Sequence, residues 1–243
     1  MKNPLIPLRN KLALRPANDS PMLEETRHLW TKLQLLFRQG LPPVLRIAFT
    51  STYSGEGTSS IASNFAHTLA EQRLMTCLVE CNFREPSLRA HYKAPKNKGL
   101  GDFLEGKANL TEILNRKVSP HLDLVHAGTI QSDPYALLSG PLLPRVLGAL
   151  HEEHEALVLD TPPLSNCPES CLVLRNVDAV VLVVQANRTK KSAAKRSMAT
   201  LDALGVPILG AVLNQMAYQP PVTIEQNFCG RRITTRAGRG QMS

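Results

Sequence analysis

At 243 residues the chain can bury a full core, and one α/β domain with extra terminal segments accounts for it better than two complete domains. Its hydrophobic share of 43% is ordinary, and no apolar run approaches the roughly 18 residues that a membrane-spanning helix needs. The first 20 residues carry Lys2, Arg9, Lys11 and Arg15 without the apolar stretch of a secretory signal, so a cytoplasmic protein is expected.

The net charge of +8 is gathered in Arg188, Lys190, Lys191, Lys195 and Arg196, and again in Arg231, Arg232, Arg236 and Arg239. Such clusters attract anionic lipid, nucleic acid or an acidic partner; a solvated helix face and a mobile tail are the plainer alternative. Cys77, Cys81, Cys167, Cys171 and Cys229 form no Cys-x-x-Cys pair and read as structural thiols. Cys167 and Cys171 are one helical turn apart, but no histidine lies nearby to complete a metal site.

In chain order, residues 1–21 read as a flexible basic segment. Leu29, Trp30, Leu33, Leu36 and Phe37 then recur at helical spacing, giving an amphipathic helix over 22–40 that Gly40 and Pro42-Pro43 stop. Residues 41–216 alternate short apolar runs with helical patterns. The predicted strands are 44–50, 75–80, 122–126, 156–160, 179–185 and 208–214. The predicted helices are 59–71, 110–115, 134–151, 169–175 and 191–204. This alternation indicates a doubly wound, mostly parallel sheet with helices on both faces. The stretch 217–243 turns polar and basic without periodicity and is expected to be disordered.

Ser51-Thr52-Tyr53-Ser54-Gly55-Glu56-Gly57-Thr58-Ser59-Ser60 links the first predicted core strand to a helix. A phosphate loop works because backbone N–H groups and a helix N-terminus cradle the anion while a lysine reaches the β- and γ-phosphates. Gly55 and Gly57 permit the tight backbone, and Ser59 stands where a hydroxyl would bind magnesium, but Thr58 occupies the lysine position. An ordinary strand–helix turn would also carry two glycines. Three further segments favour the phosphate loop. Asp160 ends an apolar strand, where a carboxylate holds magnesium beside such a loop. The strand ending at Glu80 opens into Cys81-Asn82-Phe83-Arg84 toward the same crevice. Asn214 ends a third strand with an amide suited to reading an adenine edge.

These segments, in this order, resemble the bacterial tyrosine kinases of capsule and exopolysaccharide assembly, and more distantly the partitioning and septum-positioning ATPases. The resemblance runs from about Glu24 to Asn214 and implies a phosphate-loop NTPase-type fold. The family loop reads Thr-Ser, two variable residues, Pro-Gly-Glu-Gly-Lys-Ser/Thr and then Asn-Leu-Ala. Here Thr50-Ser51, Gly55-Glu56-Gly57, Ser59 and Asn64-Phe65-Ala66 match, while Ser54 and Thr58 depart. The family's Asp-x-Asp-x-Arg, then proline, reads Glu80-Cys81-Asn82-Phe83-Arg84, then Pro86. Its Glu-x-x-Arg-x-x-Arg helix, used for ring assembly, is matched at Glu24 and Arg27 but carries Trp30 at the second arginine. Its tyrosine-rich tail has no counterpart, the tyrosines being Tyr53, Tyr92, Tyr135 and Tyr218.

The resemblance therefore implies ATP and magnesium as cofactors, bound weakly or lost. The nucleotide would lie on Gly55, Glu56, Gly57, Thr58, Ser59, Ser60 and Asn214, and the metal on Ser59 and Asp160. Losing a lysine–phosphate contact costs about 1.5–3 kcal/mol of binding, and about 2.7–4 kcal/mol in a transition state. The neutral amide of Asn82 neither holds magnesium nor accepts a proton usefully, and Glu80 reaches one methylene further than aspartate. Thr58, Glu80 and Asn82 are thus degenerate catalytic positions, unless Lys190, Lys191, Arg84 or Arg188 supplies the missing charge. The expected protein is an inactive kinase-like regulator or scaffold of polysaccharide biosynthesis and export, cytoplasmic or peripheral at the inner membrane. Its expected partner is a membrane polysaccharide co-polymerase or export protein, with self-assembly as a second possibility; nucleic acid is disfavoured. The alternatives are a divergent ATP-binding tyrosine kinase or ATPase of that pathway, and a partitioning-type ATPase.

Overall fold

The computed structural model describes residues 26, 27, 29–31, 34 and 46–215 in full, and 5–9 and 216 by backbone alone. The predicted tail over 217–243, most of 1–21 and much of 22–40 lie outside the described residues, as do Glu24, Tyr218 and Cys229.

The strands are β1 (Leu5–Arg9), β2 (Arg46–Ser51), β3 (Thr76–Glu80), β4 (Asn115–Ser119), β5 (Leu122–Val125), β6 (Ala156–Asp160), β7 (Ala179–Gln185) and β8 (Ile208–Met216). The helices are α1 (Thr58–Glu71), α2 (Leu88–His91), α3 (Leu100–Leu104), α4 (Leu110–Ile113), α5 (Pro134–Ser139), α6 (Leu142–Glu153), α7 (Glu169–Leu174) and α8 (Lys191–Leu204). Among the described residues one sheet carries eight strands in the order β1-β8-β7-β2-β6-β3-β5-β4. Every neighbouring pair is parallel except β4 with β5.

Alternate residues of the central strands enter two separate cores. Ile47, Phe49, Leu78, Val158, Val181 and Val183 pack beneath α1 with Ile61, Phe65 and Leu69. Ala48, Cys77, Val79, Leu157, Leu159, Val180 and Leu182 pack on the other face with Leu143, Val146, Leu147, Val173 and Leu201. Strands buried on both faces must be apolar at every position, which is why they read as continuous runs rather than as alternation.

Three local outcomes differ from the sequence reading. The predicted helix over 134–151 is two helices, because Gly140 is extended and Pro141 has no N–H to continue the first one. β4 has no apolar signature: Arg116 and Lys117 are exposed, and the strand is held as an antiparallel edge by its hairpin with β5. Within the segment read as flexible, Leu5–Arg9 forms β1 along the outer edge of β8.

Residues 26, 27, 29–31 and 34 are helical, as the pattern over 22–40 predicts. This helix lies on α1: the Thr26 and Thr68 hydroxyls meet at 2.8 Å, Trp30 stands edge-on to Phe65 at 6.3 Å between ring centroids, and Leu29 is buried. Arg27, matched above to a ring-assembly position, donates to Glu71 of the same chain at 2.7 Å.

Candidate functional site

The carboxyl ends of β2, β3, β6, β7 and β8 converge on one crevice. β2 is central, paired with β6 on one side and β7 on the other, and it delivers residues 52–57 into the start of α1. Gly55 and Gly57 both have positive φ, 78° and 90°, which glycine adopts without the steric cost other residues meet. At Gly57 the requirement is also one of space, since a Cβ would lie 2.2 Å from Nδ2 of Asn214.

Glu56 orders this loop from within. Its side chain is fully buried; Oε2 accepts from the N–H groups of Thr52 at 2.8 Å and Tyr53 at 3.0 Å, and Oε1 accepts from the Thr189 hydroxyl. Asn214 donates to the Glu56 carbonyl at 2.8 Å and accepts from the Gln215 N–H at 2.8 Å. The amide expected to read a base edge is therefore occupied in tying β8 to the loop. Sequence reading missed these ties, because nothing in the spacing of Glu56, Thr189 and Asn214 indicates that they meet.

The first turn of α1 has no side-chain cap and no acidic residue, so its N–H groups and the positive end of its dipole face the loop uncompensated. Thr58, in the lysine position, is buried. Ser59 and Ser60, the next two residues, are half-buried in the same turn, and the Ser60 carbonyl accepts from the Asn64 amide at 2.7 Å.

Asp160 lies where its position at a strand end implies, in register with Phe49 of β2 and Glu80 of β3. It is fully buried, and among the described residues its carboxylate has no hydrogen-bonding neighbour beyond the Ser59 hydroxyl. Burial pushes its pKa up to about 8; the nearby Ser59 hydroxyl pulls it down, and the Glu80 carboxylate adds to the rise. A buried carboxylate whose hydrogen-bonding neighbour among the described residues is a serine hydroxyl is a donor set suited to a hard cation. Ser59 and Asp160 fit magnesium, which when bound would neutralise charge on the phosphates.

Glu80 and Asn82 are placed differently from the sequence expectation. Glu80 is fully buried, with Oε1 accepting from the N–H groups of Ser87 at 2.5 Å and Leu88 at 2.8 Å, and Oε2 from that of Ala127 at 3.0 Å. Its carboxylate holds the start of α2 and the segment after β5, rather than standing open with shifted metal geometry. Asn82 accepts from the Glu85 N–H at 3.2 Å and closes a turn. Arg84 pairs with the buried carboxylate of Glu169, and that pairing raises its pKa. Burial raises the thiols of Cys81, Cys167 and Cys171, so none is poised as a thiolate.

On the other wall, Arg188 lies over Gly55, with Nη1 3.3 Å and Nη2 4.0 Å from where a Cβ on that glycine would stand. Lys190, Lys191, Lys195 and Arg196 are exposed along the start of α8.

No family model matches the chain. It is 28% identical over 172 residues to the tyrosine-protein kinase CpsD of Streptococcus agalactiae, covering 70% of this chain and 74% of that one. The crystal structure of the chimerical protein CapA2B2 superposes with a TM-score of 0.82 at 24% identity, covering 89% of this chain and 96% of that one. The septum site-determining protein MinD of Pyrococcus horikoshii, solved with magnesium-ADP, shares the fold at a TM-score of 0.61 and 19% identity, with 70% of each chain covered. The chain is thus similar in sequence to bacterial tyrosine kinases, and its fold is shared with the CapA2B2 chimera and with MinD.

Proposed function

We propose that this chain is a non-phosphorylating relative of the bacterial tyrosine kinases, acting as a regulator or scaffold in the synthesis and export of a capsular polysaccharide or exopolysaccharide. The observation that carries this reading is Glu80. The carboxylate in the second family signature is engaged by three backbone N–H groups, while Asn82 is a neutral amide that closes a turn and Thr58 brings no charge to phosphate. Phosphoryl transfer depends on positioned charges, so their loss together removes more of the rate than of the binding.

The kinship with the tyrosine-protein kinases supports the pathway, and the exposed cations along α8 supply a surface for an acidic cytoplasmic segment of a membrane co-polymerase or export protein. The site of action is the cytoplasm, at the inner face of the membrane. Among the described residues no helix is long and apolar enough to cross a membrane. Self-assembly is a further property to measure, since Arg27 is engaged within its own chain.

A divergent kinase or ATPase is the second reading, favoured by the buried Asp160 beside the Ser59 hydroxyl. Deleting the coding sequence in its source organism distinguishes a pathway role from none. The expected result is altered polysaccharide yield or chain length with unchanged tyrosine phosphorylation. Unaltered polysaccharide contradicts the role, and a fall in phosphotyrosine favours the kinase.

A further inference from the structure

Resting on the reading of this crevice as a phosphate cradle, we propose that Arg188 is the cation that holds the phosphates of a bound nucleoside di- or triphosphate, in place of the lysine that Thr58 replaces.

Its position carries the argument. The guanidinium lies against the exposed Gly55 backbone, at the part of the loop that glycine alone keeps open. Two ties fix the turn bearing Arg188 to that loop. The Thr189 hydroxyl donates to Glu56 while accepting from the Gln185 N–H at 2.9 Å, and the Ala186 N–H donates to the Asn214 carbonyl at 2.8 Å. Asn214 in turn holds Glu56. Arg188 therefore moves with the cradle.

Its partners leave it available. Nη1 donates to Oε1 of Gln185 at 3.0 Å, a neutral amide that orients the guanidinium without cancelling its charge, and no carboxylate pairs with it among the described residues. Arg84, a second arginine near the crevice among the described residues, is paired with Glu169. A guanidinium presents a planar fork that matches phosphate oxygens, and five N–H donors leave several free after the contact with Gln185. On the far side of the cradle, the buried Asp160 carboxylate has no hydrogen-bonding neighbour among the described residues beyond the Ser59 hydroxyl. The crevice thus sets an anion-binding loop between a cation with no ion-pair partner among the described residues and a buried carboxylate suited to magnesium, an arrangement that a merely structural turn does not require.

Calorimetric titration of the full chain with magnesium-ADP tests this. Wild type is expected to bind, Arg188→Ala to bind about tenfold to a hundredfold more weakly, and Arg188→Ala combined with Thr58→Lys to recover most of the loss. Lys195→Ala, which removes an exposed cation farther along α8, is expected to change affinity less than threefold; thermal melts confirm that each variant is folded. Equal affinity of Arg188→Ala and wild type overturns the assignment, as does an equal loss in Arg188→Ala and Lys195→Ala. Absence of magnesium-ADP binding by wild type also overturns it, while leaving the scaffold reading intact. Asp160-dependent tyrosine phosphorylation would overturn the scaffold reading and leave the role of Arg188 standing.

Discussion

Glu80 carries more of the account than any other side chain. A fully buried carboxylate that accepts three backbone N–H groups gains from each contact and is fixed by them, with three of its roughly four acceptor sites in use. Glu80→Gln turns one accepting oxygen into an NH₂ group facing N–H donors, and it is expected to cost about 2–3 kcal/mol in a urea-unfolding measurement, with or without nucleotide. A loss of nucleotide affinity at unchanged stability would instead return Glu80 to the site. The residue type was legible in the sequence, but its partners were not. Ser87, Leu88 and Ala127 contribute backbone groups, which leave no mark on side-chain identity. Asp160 and Ser59 were readable because a strand end and a helix start fix them, whatever the rest of the chain does.

At the scale of elements, the loop from Thr52 to Gly57 behaves as one unit with Asn214 and Thr189. Gly57→Ala forces both a left-handed backbone on alanine and a Cβ into the Asn214 amide, which is itself held by the Glu56 carbonyl. The expected cost exceeds about 1–2 kcal/mol in a thermal or denaturant melt and is accompanied by loss of magnesium-ADP binding. Retained stability and affinity would mean that the loop is not clamped as described. The buried strands of the core were legible because strands covered on both faces are apolar throughout. β4 was not, since a polar edge strand takes its conformation from pairing with β5 rather than from its own pattern. The break between α5 and α6 was written in Gly140-Pro141, but the apolar pattern runs across it at helical spacing and hides it.

The whole molecule is also tied together at the amino ends of the strands, away from the crevice. There Asp123, at the start of β5, accepts from the ring of His154 at 3.1 Å and from the Lys117 N–H at 2.7 Å, with Arg116 at 3.7 Å and Glu153 beyond it. Burial opposes the charged form of both partners. For Asp123 the hydrogen bonds from His154 and Lys117 prevail and lower its pKa, and for His154 those to Asp123 and the Leu150 carbonyl prevail and raise its pKa. The stability from Asp123 is full above about pH 4 and is lost as pH falls through its lowered folded pKa; that from His154 is full below about pH 6.5 and is lost as pH rises through its raised folded pKa. The contribution of this pair is therefore expected to be greatest between about pH 4 and 6.5, so the stability difference between wild type and Asp123→Asn is expected to shrink on both flanks of that range in melts taken across it. An unchanged pH profile in the variant would remove this pair from the account.

The central claim is that the crevice keeps a phosphate cradle while Thr58, Glu80 and Asn82 no longer support transfer. The direct measurement is phosphotyrosine formation by the purified full chain, given magnesium, ATP labelled in its γ-phosphate and a tyrosine-containing acceptor peptide. The account predicts no labelled tyrosine, on the chain or the peptide, above the level of an Asp160→Ala variant. Labelled tyrosine that appears with wild type and disappears with Asp160→Ala would contradict it.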